Sequence, residues 1–239
     1  VVERTGGYRE RPSGLDGAVV WTRTVESGDS VPVLPDGSID LLWREGTLLV
    51  AGPDTGPYRP DAAPGTRFAG LRFPPGSAPA LLGVPAHELR DRRLELADLW
   101  PVATVRALTA EANAASDPAA GLEAIALRRA ADLGPLDPLP RLVVAALESG
   151  ASVAVAADAA GIGARALHRR SLAAFGYGPK TLARILRMRR ALAAVRAGMS
   201  LALAAAHAGY ADQAHFTREV TRLAGSPPGA LLGGPSPAE

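Results

Sequence analysis

Two short stretches carry the side-chain types that read the edges of nucleic-acid bases. Arg165, His168 and Arg169 are spaced i, i+3, i+4, and Ala214, Thr217 and Arg218 repeat that spacing with Gln213 just before them. On a helix each set forms one stripe. Arginine donates two parallel hydrogen bonds to guanine O6 and N7, glutamine pairs with adenine, and the methyl groups of Ala and Thr fit against the thymine methyl. Arg170, Lys180, Arg184, His215 and Arg222 lie close by in sequence, and their charge suits them to phosphate contacts. His215 precedes the apolar Phe216 and is as well placed to pack at a helix contact, while His207 stands among alanines and reads as a packing or surface residue.

The elements expected to position these stripes come as a near-repeat. Val155-Ala-Ala-Asp-Ala-Ala-Gly161-Ile162 recurs as Leu203-Ala-Ala-Ala-His-Ala-Gly209-Tyr210, and Phe175-Gly176-Tyr177-Gly178-Pro179 is answered by Ala224-Gly225-Ser226-Pro227-Pro228. Each copy predicts a short helix of small residues ending at glycine, a tight turn, and a second helix. The small residues allow a close helix crossing, and Ile162 or Tyr210 can plug the gap between the two helices. The second helices are expected over Ala164–Ala174 and Gln213–Leu223, with Leu167 and Phe216 buried. Asp212 is placed to cap the second of them, whereas Gly163 offers the first no side-chain acceptor. Between the copies, Lys180–Ala197 predicts one basic helix about 27 Å long, enough to set two modules roughly one turn of B-DNA apart. Arg187, Arg189 and Arg190 surround that helix and cannot all face one ligand.

Charge divides the chain in the same way. Residues 1–138 hold 14 arginines against 19 acids, and residues 139–232 hold 12 cations against four acids, so a net charge of only +2 conceals a basic half. Such a segment attracts polyanions. The chain has no cysteine, which excludes disulfides, thiolate nucleophiles and thiolate metal sites. With four histidines, and His87 alone before residue 168, no histidine metal centre is expected, and no cofactor. No run approaches the ~18 apolar residues of a membrane span, and Val-Val-Glu-Arg-Thr-Gly does not read as a signal peptide. A cytoplasmic protein without membrane contact is the expectation.

The first half has a different texture. Ala18–Val25, Ser38–Trp43, Thr47–Val50 and Phe68–Phe73 predict short strands, with a tight hairpin at Arg44-Glu45-Gly46. Helices are expected at Ala78–Leu82, Pro101–Asn113 and Pro118–Leu133. The fold class is therefore α+β in two domains: a β-rich, barrel-like or sandwich domain over residues 1–134, with a helical connector from about 76, and an all-α domain of about seven helices over 135–232. Residues 233–239 are expected to be a disordered tail. Trp21, Trp43, Arg67 and Arg72 are the candidates for binding a small effector, with core packing and surface ion pairs as the simpler account of the same residues.

Residues 139–232 resemble the C-terminal domain of AraC/XylS-type transcription regulators. The likeness rests on Ala157–Gly161, Leu167-His168-Arg169-Arg170, Gly176-Tyr177-Gly178-Pro179-Lys180, the helix Leu182–Ala197, and Ala205-His-Ala-Gly-Tyr-Ala-Asp-Gln-Ala-His-Phe-Thr-Arg218 with Gly225-Ser-Pro-Pro-Gly229. It implies seven helices, the third and sixth being recognition helices that present Arg165, His168 and Arg169, and Gln213, Ala214, Thr217 and Arg218. It also implies double-stranded DNA as partner, with RNA polymerase, a small effector and a second copy as further candidates. The chain departs from the pattern at Ser171 and Val220, where members usually have a core phenylalanine, and at Gly163, where they have a capping Ser or Thr. Phe175 is expected to refill part of the first core. Pro35–Trp43, Gly52-Pro53-Asp54-Thr55 and Phe68–Gly76 resemble an uncharacterised domain found ahead of such domains, where family members commonly carry a sensing or dimerising barrel.

The reading that follows is a sequence-specific transcription regulator without catalytic residues. The alternatives are a nucleic-acid-associated enzyme and an architectural protein with a regulator-like helical domain. Alkyl transfer to protein needs a cysteine that is absent, and no spacing singles out a carboxylate pair among the acids of the first half.

Overall fold

The computed structural model describes residues 2–4, 7–27, 32–115 and 117–232. The tail at 233–239 lies outside the described residues. In the first half, β1 (Val2–Arg4), β2 (Tyr8–Pro12), β3 (Val19–Thr24), β4 (Ile39–Arg44), β5 (Thr47–Ala51), β6 (Arg67–Phe73) and β7 (Arg93–Glu95) form one antiparallel sheet in the order β1-β2-β3-β6-β4-β5-β7. β6 inserts between β3 and β4, pairing Leu71 with both Val20 and Leu41. Among the described residues β1 and β7 are the edge strands and do not pair with each other, so the expected barrel is instead an open sheet. The hairpin at Glu45-Gly46 has positive φ at both residues (45° and 87°), the twist that a two-residue connection requires.

Strand alternation gives the sheet two different faces. Val20, Leu41, Trp43, Leu48, Val50, Ala69, Leu71 and Phe73 belong to the main core. Trp21, Leu42, Leu49 and Ala51 gather on the other face with Tyr8 and Phe68. Gly70 is required there, since an added Cβ would lie 2.3 Å from the Trp21 ring.

The main face is covered by α1 (Ala78–Leu82), α2 (Ala86–Leu89), α3 (Val102–Ala114) and α4 (Pro118–Leu133). Leu81, Leu82, Leu89, Val105, Ala112, Ala119, Leu122 and Ala126 share the core with the strands. The helices expected as a connector are thus the lid of the sheet. Alanines and a glycine set the α3–α4 spacing: a Cβ on Gly121 would come within 3.0 Å of the Ala112 Cα. Glu123 ties α4 to the β2–β3 turn, its carboxylate accepting from Arg11 Nη2, Ser13 Oγ and Gly14 N, each at 2.7 Å.

Seven helices follow among the described residues: α5 (Leu139–Glu148), α6 (Val153–Ala159), α7 (Ala164–Phe175), α8 (Pro179–Arg196), α9 (Leu201–His207), α10 (Gln213–Ala224) and α11 (Pro228–Leu231). They surround a second core of Leu167, Phe175, Leu182, Ile185, Leu186, Met188, Phe216 and Val220. The two halves touch directly. Leu34 packs against the helical core, Arg141 pairs with Asp16 at 2.6 Å, and Arg189 Nη1 donates to the Asp36 carbonyl at 3.2 Å.

Candidate nucleic-acid interface

Each half of the repeat builds the same unit. Ser152 caps α6, its side chain accepting from Val155 N, and Ser200 caps α9 from Leu203 N. The first helices end where Gly161 (φ 65°) and Gly209 (φ 81°) reverse the chain in left-handed geometry. Small buried residues, Ala156 and Ala157 in one copy and Ala204 and Ala205 in the other, let the second helix cross closely. Ser152 and Ser200 stand 48 residues apart, the same offset as the glycines, and that recurrence is the sequence signal for two caps that side-chain reading passed over.

The second helices start as their caps predict. Asp212 accepts from His215 N at 2.6 Å, while α7 begins at Gly163 with no side-chain cap. Leu167 and Phe216 are fully buried. Ile162 is half-buried and Tyr210 buried, both at the turn between helices. Phe175 enters the first core, as does Ser171, whose buried hydroxyl has no hydrogen-bond partner among the described residues.

The opposite faces are open. Arg165, His168 and Arg169 are exposed on α7, and Gln213, Ala214 and Arg218 are exposed on α10 beside a half-buried Thr217. Arg165, Arg169 and Arg218 make no hydrogen bond, ion pair or ring contact with another described residue. His168 sits over the α7–α8 turn, where a Cβ on Gly178 would meet its ring at 2.8 Å.

The phosphate candidates divide. Lys180 and Arg222 are exposed and have no partner among the described residues, and Arg170 is exposed with Asp137 at 3.7 Å. His215 is half-buried with its ring edge-on to Tyr210 at 5.2 Å. Arg184 bonds instead to Glu219 on α10, Nε to Oε2 at 3.0 Å. Burial opposes charge on Glu219, yet hydrogen bonds from Arg187 and Arg184 hold its carboxyl below the usual range.

The three arginines around α8 each take a separate partner. Arg187 binds Glu219, Arg189 reaches Asp36, and Arg190 donates to the carbonyls of Leu147 and Glu148 at the end of α5 and of Ala208 after α9. A guanidinium between two helix C-termini meets both the free carbonyls and the negative dipole ends. Sequence reading placed Arg190 only among the arginines around this helix and gave Glu219 no role, since neither belongs to a recurring motif.

The effector candidates do not converge. Trp21 and Trp43 occupy opposite faces of the sheet, with Arg72 over the first ring at 5.9 Å and Arg67 over the second at 5.7 Å. The Arg72 guanidinium already faces Asp40 at 3.2 Å, and Trp21 Nε1 donates to the same carboxylate at 2.7 Å. Trp43 Nε1 donates to Asn113. Two surface grooves, of about 760 Å³ along α8 and about 330 Å³ between α3 and α4, are lined by none of these four residues. Among the described residues no helix is long and apolar enough to cross a membrane.

Comparison with known proteins matches residues 156–233 to a helix-turn-helix domain family and residues 18–95 to a domain of unknown function, DUF6597. No curated protein matches the chain. Similar solved structures include ToxT from Vibrio cholerae at 1.65 Å resolution, with 9% identity, 95% of this chain and 98% of that one covered, and a TM-score of 0.49. Wild-type ToxT of the same organism bound to an unsaturated fatty acid has 11% identity, covers 94% and 96% of the two chains, and gives a TM-score of 0.48. With two helix pairs in the matched order, residues 156–233 match an AraC-type helix-turn-helix domain, and that match is preceded by one to a DUF6597 domain.

Proposed function

We propose that this protein is a sequence-specific DNA-binding transcription regulator that sets α7 and α10 into successive major-groove segments of one duplex. The observation that carries the reading is the contrast among its cations. Among the described residues Arg165, Arg169, Arg218, Lys180 and Arg222, on the recognition helices and beside them, have no charged or hydrogen-bonding partner, while the α8 arginines are bound to internal partners. Arg165, His168 and Arg169 read bases from α7, and Gln213, Ala214, Thr217 and Arg218 from α10. Lys180, Arg170, Arg222 and His215 hold the phosphates. Arg184 acts through Glu219 rather than on DNA. One chain carries both readers, so two adjacent segments need no second copy. Residues 135–232 form the reading domain and residues 1–134 the domain that governs it. Regulation follows from promoter occupancy, through contact with RNA polymerase or its exclusion, and involves no catalytic step.

Selection from a random duplex library followed by footprinting tests the reading. The expected result is one preferred sequence with two protected segments whose centres lie about 10–10.5 base pairs apart. Equal affinity for selected and random duplexes overturns it.

A further inference from the structure

The connection after β5 runs Gly52-Pro53-Asp54-Thr55-Gly56-Pro57-Tyr58. Its two prolines, four residues apart, sit on the glycines that end the two recognition helices. A Cβ added to Gly176 would lie 2.7 Å from Pro53 Cγ and 3.1 Å from the Ala86 carbonyl, and one added to Gly225 would lie 3.0 Å from Pro57 Cγ. Gly176 and Gly225 are the repeat-equivalent left-handed caps of α7 and α10, with φ of 83° and 73°. Arg90, just after α2, adds a hydrogen bond from Nη1 to the Gly176 carbonyl at 3.1 Å.

The loop is stiff where it leaves the sheet. Arg93 donates twice to Asp54, at 2.5 and 2.6 Å, and its guanidinium lies 3.7 Å from the centre of the Tyr58 ring. Asp91 accepts from Thr55 N at 2.7 Å and donates its own N–H to the Pro53 carbonyl at 3.1 Å. Gly52 passes so close to α2 that a Cβ would fall 1.7 Å from the Leu89 carbonyl oxygen. Tyr58 exchanges backbone hydrogen bonds with Val33 at 2.7 and 2.9 Å. Two proline rings on a base fixed in this way have few conformations to lose.

We propose that this loop is a brace that fixes the separation and angle of the two recognition helices, with Pro53 and Pro57 as its positioning residues. Within the helical half, α7 and α10 are linked through α8. The brace adds a second, independent link from the sheet half, so anything that shifts the loop resets the spacing of the two readers. The consequence for DNA rests on the function proposed above, but the mechanical link does not.

The absence of cysteine makes the test direct, because Ala173→Cys on α7 and Thr221→Cys on α10 create the only two thiols for paired spin labels. Both positions are exposed. The labelled full chain is compared with Pro53→Ala/Pro57→Ala and with Arg93→Lys, which keeps the charge but loses the two-pronged grip on Asp54. Circular dichroism checks that each folds, and Arg93→Lys serves alone if the proline pair does not. The expected result is a narrow distance distribution in the parent whose width at least doubles in the variants. On selected duplexes with the half-site separation changed by one base pair, the parent's preference for its best spacing should fall at least fivefold in the variants, with single half-site affinity within twofold. Unchanged distance distributions in folded variants overturn the brace, whatever the DNA result. A parent that selects no sequence while the variants still broaden overturns the proposed function and leaves the brace standing.

Discussion

Arg187 on α8 and Glu219 on α10 meet at 2.7 Å, and the same guanidinium lies 4.4 Å from the centre of the Tyr210 ring at the second helix-turn-helix turn. Arg184 shares the carboxylate at 3.0 Å. One acid on the buried side of a recognition helix thus fixes that helix to the helix joining the modules. Glu219→Gln leaves two arginines without their anion, at an expected cost of about 1–3 kcal/mol in unfolding free energy. Denaturant titration measures it. A change under about 0.5 kcal/mol would remove the cluster from the account of how α10 is held.

Arg169→Ala and Arg218→Ala are each expected to weaken binding to the selected duplex by about 1–3 kcal/mol and to affect random duplexes less. Equal losses on both duplexes would reassign these arginines from bases to phosphates. Arg184→Ala is expected to act differently, lowering stability together with affinity, because its partner is Glu219.

Affinity for the selected duplex should fall steeply with salt. Several unpaired cations on one surface release several counterions, so log Kd against log salt should have a slope of several units. A slope below about one would show that these cations do not meet phosphates.

Ser171 places a hydroxyl in a fully buried site with no partner among the described residues. Burying an unbonded hydroxyl is unfavourable, so Ser171→Ala should raise stability by about 1 kcal/mol. Thermal unfolding of the pair checks this, and a destabilised Ala variant would mean that the hydroxyl makes a bond.

Glu123 supplies the acid limb of the stability profile. The Arg11 hydrogen bond, with those from Ser13 and Gly14, lowers its carboxyl to about 2 from an ordinary 4.5, against the opposing effect of burial. A depressed carboxylate contributes its full stabilisation above pH 4.5 and loses it as pH falls toward 2, because the unfolded chain takes up the proton first. Glu123→Gln should therefore flatten the pH dependence in that window and lower stability near neutrality. Unfolding midpoints between pH 2 and 7 measure both, and parallel profiles for the two proteins would contradict the assignment.

The sequence by itself determined the local grammar of the helical half. Glycines at a fixed offset, small residues before them, Asp212 before α10 and the i, i+3, i+4 stripes all act over one or two helical turns, and the structure reproduces the order of elements they specify. Strand alternation in β4 and the Glu45-Gly46 turn are local in the same sense. Tertiary structure decided whatever depends on groups far apart in the chain. It opened the expected barrel, because β6 enters between β3 and β4 and leaves β1 and β7 as the two edge strands among the described residues. It turned a connector into a lid, since small residues at Ala112 and Gly121 let α3 and α4 close on the sheet. It set Trp21 and Trp43 on opposite faces and gave Arg184 to Glu219, 35 residues away. It also brought Pro53 and Pro57 to Gly176 and Gly225, more than 100 residues further along. Charge and spacing reveal which side chains are able to act, but an arginine's partner depends on which carboxylate the folded chain brings within hydrogen-bond reach.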